Sequence, residues 1–255
     1  MTDLDIRFFA PSYKRPYRSS TQELYPNVTL IVKESERADY ESNGNQVETC
    51  PDEVQGNLCR VRNFILQSNE DADCVVLMDD DCRGVGRFDH STSKPGQLGT
   101  MTTMDSDELI RFAEQATVMA IDGGIRMWGI NCVPDRMAYR EYTPLAFVSY
   151  IGGPFSGHCK TDLFYDERLP LKEDYDLTLQ HLYKYKRVLR FNGYYYLVDQ
   201  AIQGGGCASY RNSKREAQQF NALQGKWGKK IVRKDRASRR EFDFNPILKF
   251  PLKGV

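Results

Sequence analysis

The sequence predicts an α/β fold in which helices flank a mixed, mostly parallel sheet and a basic helical segment follows near the C-terminal end. Short apolar, β-branched runs alternate with segments of helical spacing over residues 6–200. One of these runs, Cys74–Met78, ends directly in Asp79, Asp80 and Asp81. Ligands of open α/β sheets bind outside the carboxyl ends of the strands, so we expect a functional site at these aspartates.

The individual elements are predicted from the period of the apolar residues and from turn and capping signals. Strands are predicted over residues 6–10, 28–32, 47–50, 74–78, 127–132, 145–150, 188–191 and 194–198. Helices are predicted from Leu58 to about Ser68, from the capping box Asp105–Glu108 to Gly123, over 174–185 and over about 213–224. The glycine-containing stretches 84–99 and 152–158 are predicted as loops.

The composition is that of a globular protein. The 255 residues suit one large domain, and 35 Lys and Arg balance 35 Asp and Glu. No apolar run approaches the roughly 20 residues of a membrane helix, and the first residues lack the pattern of a signal peptide. The seven cysteines are scattered without a CxxC pair, which favours free thiols in a reducing compartment. We therefore expect an intracellular, cytoplasmic protein with no membrane partner.

The C-terminal part is basic. Between Arg211 and Arg240 the acidic residues are Glu216 and Asp235 alone, whereas Lys and Arg are frequent. With the interleaved aromatic residues, this segment can bind the phosphates and bases of a nucleic acid. A helical lid whose cations clamp a nucleotide diphosphate, or an ordinary solvated helix, would have the same composition.

The aspartate triplet also has two interpretations. Three adjacent carboxylates are unfavourable unless they are solvated, paired or bound to a metal. A hard cation such as Mg²⁺ or Mn²⁺ suits oxygen ligands and completes its shell with water and substrate phosphates. The sequence alone leaves open a metal–diphosphate site and a solvated acidic turn.

Four motifs in a fixed order carry a family resemblance. They are Pro11-Ser12-Tyr13-Lys14-Arg15, Arg62-Asn63, Asp79-Asp80-Asp81 and Lys172-Glu173-Asp174-Tyr175-Asp176-Leu177. Together they resemble the GT-A family of nucleotide-sugar glycosyltransferases, in which the aspartates form the DXD motif and a later Glu-Asp pair begins a helix at the acceptor side. The stretch 164–167 looks like the FDE segment that precedes this pair, and the resemblance covers roughly residues 6–200.

A narrower resemblance depends on three further stretches. Gly152–Gly157, Gly204–Gly206 and Lys226–Lys230 look like the TET/JBP-associated glycosyltransferases, which include phage enzymes that attach sugars to hydroxymethylated DNA bases. This resemblance implies a single GT-A domain over residues 1–255. Residues 1–100 would form the nucleotide-sugar-binding half, 101–203 the acceptor half and 204–255 the basic segment.

The resemblance implies a role for each motif. Asp79 and Asp81 would hold Mn²⁺ or Mg²⁺, and Asp174 would be the catalytic base, with Glu173 as its substitute. Donor-binding residues would be Pro11, Ser12, Tyr13, Lys14, Arg15, Arg62 and Asp80. Acceptor-binding residues would be Gly153, Ser156, His158 and Trp227. The family often has a third metal ligand, a late histidine, but no histidine follows His181, so this ligand stays open.

We therefore predict a metal-dependent transfer of a sugar from a UDP-sugar to a hydroxyl acceptor, with 5-hydroxymethylcytosine in phage DNA as the favoured acceptor and the host cytoplasm as the location. A protein or glycan acceptor is the first alternative. A nucleotidyltransferase is the second, although Pro11–Arg15 lacks the glycines that its phosphate loop would need. The alternative that is not an enzyme is a nucleic-acid-binding module.

Overall fold

The computed structural model describes residues 4–89, 100–132, 134–136, 139–198, 211–235 and 244–250. The predicted glycine break at Gly204–Gly206 lies outside these residues. The strands are β1 (Ile6–Pro11), β2 (Val28–Lys33), β3 (Val47–Cys50), β4 (Cys74–Met78), β5 (Cys82–Asp89), β6 (Thr100–Thr103), β7 (Met127–Asn131), β8 (Leu145–Ala146), β9 (Phe155–His158), β10 (Leu189–Val198), β11 (Val232–Lys234) and β12 (Pro246–Leu248). The α-helices are α1 (Ser20–Leu24), α2 (Arg37–Ser42), α3 (Leu58–Ser68), α4 (Ser106–Asp122), α5 (Glu173–Tyr185) and α6 (Ser213–Trp227).

The main sheet confirms the predicted α/β class. Its order is β3-β2-β1-β4-β9-β7-β10-β5-β6, and β8 pairs with β10. Seven of these ten described strands run in the direction of β1, whereas β5, β8 and β9 run against it. The sheet is therefore mixed, with most of its strands pointing one way.

The strand order creates a crevice beside β1. The chain runs from β1 to β2 and β3 on one side, and then crosses to β4 on the other side of β1. The loops that leave β1 and β4 consequently diverge at their carboxyl ends, and this reversal of strand order is the usual ligand site of open α/β sheets. The loop that begins at Ser12 and the aspartates 79–81 flank this crevice.

Helices cover both faces of the sheet. On one face, α4 packs Leu109, Phe112 and Ala116 into a core that includes Trp128. On the other face, apolar residues of α3 and α5 pack against Phe9 and Leu77. Apolar side chains of the helices cover both faces of the sheet. This explains why β4 and β7 are buried along their whole length and have continuous apolar sequences.

The two predicted loops contain strands: residues 84–89 of the loop predicted over 84–99 and residues 155–158 of the loop predicted over 152–158, whereas residues 90–99 lie outside the described residues. Residues 82–89 form β5 and residues 155–158 form β9, which lies between β4 and β7. The prediction was wrong because the glycines serve close packing instead of turns. A Cβ atom on Gly86 would collide with the Tyr195 ring, and one on Gly157 would collide with the Trp128 indole.

Two predicted strand boundaries also differ. Only Leu145–Ala146 of the predicted strand 145–150 pairs with a neighbour, and the two strands predicted over 188–198 form one strand, β10. The first part of β10 pairs with β7 and its last part with β5, with an irregularity between Phe191 and Tyr195. The gap predicted between residues 191 and 194 therefore lies inside β10, where the register with β7 shifts and the pairing with β5 begins.

The basic C-terminal helix is present as α6. Asn212 caps it through its side chain, which accepts a hydrogen bond from the Arg215 N–H. The helix buries Phe220 and Leu223 in a small cluster with Leu169 and Leu179. No helix in the described ranges is long and apolar enough to cross a membrane.

Candidate active site

A cavity of about 870 Å³ opens at the carboxyl ends of β1 and β4. Three groups of residues line its walls: the loop after β1, the aspartates after β4, and the starts of three helices. These helix starts are Asn57 before α3, Lys172 before α5 and Asn212 before α6. The cavity therefore collects segments that are far apart in the sequence.

The loop after β1 holds the middle aspartate. The Ser12 hydroxyl donates a hydrogen bond to the Asp80 carboxylate. Nη1 of Arg15 donates to the Asp80 carboxylate at 2.7 Å and to the Asp81 carboxylate at 3.2 Å. The Tyr40 hydroxyl accepts the Arg15 backbone N–H at 2.9 Å and also contacts Ser12. Asp80 is thus fixed to the donor loop that the sequence predicts.

The backbone of the aspartate turn is fixed by the first turn of α1. Ser19 Oγ donates to the Asp80 carbonyl at 2.7 Å. Thr21 Oγ1 donates to the Asp79 carbonyl at 2.7 Å and accepts the Cys82 N–H at 2.9 Å. The carboxylates are therefore presented by a turn whose backbone polar groups are satisfied.

Arg62 connects the carboxylates that follow β4 with the carboxylate that begins α5. Its side chain is 1% exposed and donates to Asp79 and to Glu173, each over 3.1 Å. It also donates to the Gly153 carbonyl at 3.0 Å. The planar guanidinium suits such a fork of acceptors, so one buried side chain ties the end of β4 to the start of α5.

Asp174 is held by three donors. The Tyr150 hydroxyl and the Gly153 N–H, the latter at 3.2 Å, donate to Oδ2, and the Tyr175 N–H donates to Oδ1 at 2.8 Å. The Tyr150 ring stacks on the Tyr175 ring with centroids 4.3 Å apart. The carboxylate has a defined orientation on the cavity wall, as a catalytic base requires.

The carboxylates that line the cavity outnumber the guanidinium groups that face them. Asp79, Asp80, Asp81, Glu173 and Asp174 face the guanidinium groups of Arg15 and Arg62. Burial and the neighbouring Asp79 and Asp80 raise the pKa of Asp81 to about 7. Burial and the neighbouring Asp174 raise the pKa of Glu173 to about 8. Such shifts indicate a site that a bound cation would stabilise.

The carboxylate oxygens of the cavity fit a cation that takes its other ligands from water and a substrate. No group of three His, Cys, Asp or Glu side chains within the described residues could hold a metal by itself. His158 and His181 are both buried, and neither lines the cavity. Mg²⁺ and Mn²⁺ are commonly bound by one or two carboxylates, with water and substrate phosphates as the other ligands. The residues present are compatible with that arrangement.

Metal binding should therefore depend on pH. In the metal-free protein, the pKa values of Asp81 and Glu173 are higher in the folded state than in the unfolded chain. The folded state therefore keeps protons that the unfolded chain loses, and the free energy of unfolding falls as the pH rises from about 4 to about 8. If Asp81 is a ligand of Mn²⁺, as the motif resemblance implies, binding of Mn²⁺ with UDP would need ionised Asp81. The rise in melting temperature on adding both is expected to grow between about pH 6 and 8, as thermal denaturation at several pH values would measure. A rise that does not change with pH would contradict the metal assignment.

Comparison with known proteins identifies no family. No protein-family model and no curated protein matches the chain. Among solved structures, the fold is similar to S. aureus TarS 1-349, with 14% identity over 75% of this chain and 60% of that chain and a TM-score of 0.45. It is also similar to a mannose-1-phosphate geranyltransferase from Thermus thermophilus, with 12% identity over 77% and 76% of the two chains and a TM-score of 0.41. The chain thus spans less than two thirds of the TarS fragment.

The cavity brings most of the predicted site residues together. Its lining includes Pro11, Ser12, Tyr13, Arg15, Arg62, Asp79, Asp80, Asp81, Gly153, Glu173 and Asp174. Lys14 does not line it, because its backbone has a left-handed φ of 55° and its ammonium group lies 5.0 Å from the Tyr13 ring centroid. A contact of Lys14 with the donor stays a prediction.

Three predicted acceptor residues lie elsewhere. Ser156 and His158 are buried in β9, where the Ser156 hydroxyl and His158 Nε2 are 2.9 Å apart. Trp227 donates its indole N–H to Asp176 at 2.7 Å. These side chains support the walls of the cavity and do not line it, because β9 is a central strand and Trp227 packs against α5.

Sequence reasoning missed several residues of the site. Ser19 and Thr21 fix the aspartate turn, Tyr150 holds Asp174, and Tyr196 lines the cavity. Ser19 caps α1, a five-residue helix that was not predicted, so its capping signal was not used. The others carry no local signal, since they reach the cavity through tertiary packing.

Tyr150 offers a test of the orientation of Asp174. Tyr150→Phe removes the hydroxyl that donates to Asp174 and keeps the ring that stacks on Tyr175. If Asp174 is the base of a sugar transfer, as the motif resemblance implies, the rate of that transfer should fall about tenfold, with little change in the KM for the donor. Steady-state kinetics with varied donor would measure both. A raised donor KM with an unchanged kcat would place Tyr150 in donor binding instead.

The C-terminal segment is docked by a buried carboxylate. Asp176 is fully buried and accepts from Trp227 Nε1 at 2.7 Å, from Gln180 Nε2 at 2.7 Å and from Lys226 Nζ at 2.8 Å. Asp176→Ala should lower the free energy of unfolding by about 1–3 kcal/mol, because the Trp227 N–H loses its acceptor while Lys226 keeps Asp166 and Gln180 keeps the Phe164 carbonyl. Urea denaturation would measure the loss. The exposed Glu167→Ala is the control and should change stability by less than about 0.5 kcal/mol.

Proposed function

We propose that this chain is a metal-dependent glycosyltransferase that moves a sugar from a UDP-sugar donor to a hydroxyl group. The observation that carries the proposal is the contact of Arg62 with both Asp79 and Glu173. Through it, the strand-end carboxylates and the helix-start carboxylates face one cavity. The cavity volume of about 870 Å³ lies within the range of small-molecule sites.

The donor would bind along the crevice between β1 and β4. Tyr13 offers a ring for the uracil base, and Asp80, held by Ser12 and Arg15, would accept hydrogen bonds from the ribose or the sugar. Asp79 and Asp81 would hold Mn²⁺ or Mg²⁺, whose chemistry is to stabilise the negative charge of the leaving diphosphate. The uracil assignment follows the family resemblance of the motifs.

The acceptor would react beside Asp174. Its hydroxyl oxygen attacks the anomeric carbon, the bond from that carbon to the diphosphate breaks, and UDP leaves with the electron pair. The proton of the hydroxyl passes to the Asp174 carboxylate, which Tyr150 and the Gly153 N–H hold in place. A single displacement of this kind inverts the anomeric configuration.

We favour 5-hydroxymethylcytosine in phage DNA as the acceptor. The support is the charge of the described C-terminal residues 211–235 and 244–250, in which Glu216 and Asp235 are the acidic residues. The exposed cations there are Arg211, Lys214, Arg215, Lys226, Lys229, Lys230, Arg233, Lys234 and Lys249. A surface of this charge can contact the phosphates of a strand whose target base is extruded into the cavity.

Mass spectrometry tests the proposal. Duplex DNA that contains 5-hydroxymethylcytosine is incubated with Mn²⁺ and one of several UDP-sugars, and a gain of one sugar mass per modified base is the expected result. DNA with unmodified cytosine is the matched control and should gain nothing. No gain with any sugar, together with a rise in melting temperature on adding UDP and Mn²⁺, would overturn the DNA acceptor and keep the donor site. The absence of both effects would count against the glycosyltransferase.

A further inference from the structure

A buried ion pair lies on the same cavity wall as the start of α6. Lys172 Nζ and Glu216 Oε2 are 2.5 Å apart, and their side chains are 2% and 8% exposed. Both residues line the cavity. A buried ion pair seldom adds net stability over an apolar pair of similar size, so docking of α6 alone does not explain these charges. Their position suggests a role toward a ligand.

The second oxygen of Glu216 orients a cation at the rim. Arg211 Nε lies 3.0 Å from Glu216 Oε1, and the Arg211 side chain is 46% exposed. A guanidinium that uses its Nε in this way keeps its two terminal Nη groups as a planar fork. Such a fork matches the oxygen atoms of a phosphate group. Glu216, itself held by Lys172, thus presets the direction of Arg211.

The local charge also favours an anion. Lys172 and Arg211 outnumber Glu216 at this wall, in contrast with the carboxylates around Asp79 and Glu173. The capped amino-terminal end of α6 adds the positive end of a helix dipole at Ser213, which lines the cavity. One wall of the cavity is therefore acidic and the other basic.

We propose that Arg211 is a phosphate-binding residue and that the buried Lys172–Glu216 pair positions it. The inference deepens the proposed function and rests on it for the source of the phosphate. A phosphodiester of the acceptor strand is the assigned source, because Arg211 is exposed and is followed by two further exposed cations, Lys214 and Arg215, in the first turn of α6. The donor diphosphate has the same chemistry and is the alternative that the experiment separates.

The experiment compares Arg211→Ala, which precedes α6, with Lys214→Ala, an exposed cation in the first turn of α6 that does not line the cavity. Binding of a fluorescein-labelled single-stranded oligonucleotide, followed by anisotropy without donor, is expected to weaken about tenfold in Arg211→Ala and less than about threefold in Lys214→Ala. Glu216→Gln should give an intermediate loss, because it keeps the shape and removes the charge that orients Arg211. Melting temperatures confirm that each variant is folded.

The second arm uses the donor. The KM of the UDP-sugar in Mn²⁺-dependent hydrolysis is expected to be unchanged in Arg211→Ala. A raised donor KM with unchanged oligonucleotide binding would assign the phosphate to the diphosphate and overturn the acceptor assignment. Equal, small losses for Arg211→Ala and Lys214→Ala would overturn the subsite altogether. The anisotropy arm needs no sugar transfer, so its result is independent of failure of the proposed function.

Discussion

Asp81→Ala is expected to abolish Mn²⁺-dependent hydrolysis of the UDP-sugar, with a loss of at least about a hundredfold. Asp81 is 9% exposed and lies beside Asp79 and Asp80 on the cavity wall. In the proposed site, removal of one of the two carboxylate ligands would leave an ion that the protein holds through Asp79 alone. Hydrolysis assays with and without EDTA would measure the effect.

The same substitution should not unfold the protein. The pKa of Asp81 is raised to about 7 by burial and by its acidic neighbours, so its removal relieves repulsion in the metal-free state. Arg15 keeps its contact with Asp80 at 2.7 Å. A melting temperature equal to or above that of the wild type, together with lost hydrolysis, is the expected pair of results. Hydrolysis at the wild-type rate in Asp81→Ala would rule out this metal site.

The sequence predicts the aspartate side of the cavity because the signal is local. A buried strand that ends in carboxylates can be read from consecutive residues, and the α/β class follows from strands that alternate with helices. The family resemblance predicted Arg62 as a donor-binding residue, and the structure places it between Asp79 and Glu173. A charged residue inside an apolar helical stripe needs a partner, so its presence is informative.

The acceptor side was harder because its signals are not local. Glycines at 152–157 suggested a loop near a substrate, yet Gly157 is needed for the Trp128 ring, and His158 consequently lies in a central strand. Tyr150 comes 24 residues before Asp174, and their hydrogen bond depends on how β8 and β9 place the intervening chain. No pattern of spacing or composition encodes such a contact.

Asp174→Asn is expected to lower the rate of sugar transfer about a thousandfold, within the range of a lost general base. The amide oxygen can still accept from Tyr150 and from the Gly153 N–H, whereas the Tyr175 N–H loses its acceptor. Two of the three contacts that orient the side chain therefore remain while its basicity is lost. Binding of UDP and Mn²⁺, followed by thermal denaturation, should remain as in the wild type because Asp79 and Asp81 are intact.

Glu173→Gln separates the two candidate bases. Arg62 binds Glu173 at 3.1 Å, and the contacts described for Asp174 do not include Glu173. Glu173→Gln should therefore weaken the connection that Arg62 makes to Asp79 more than it affects proton transfer to Asp174. We expect a moderate loss of transfer with weaker binding of UDP and Mn²⁺. If Asp174→Asn transfers sugar at the wild-type rate and Glu173→Gln does not, the base is Glu173. Its pKa of about 8 would then be the property that suits it to accept the proton.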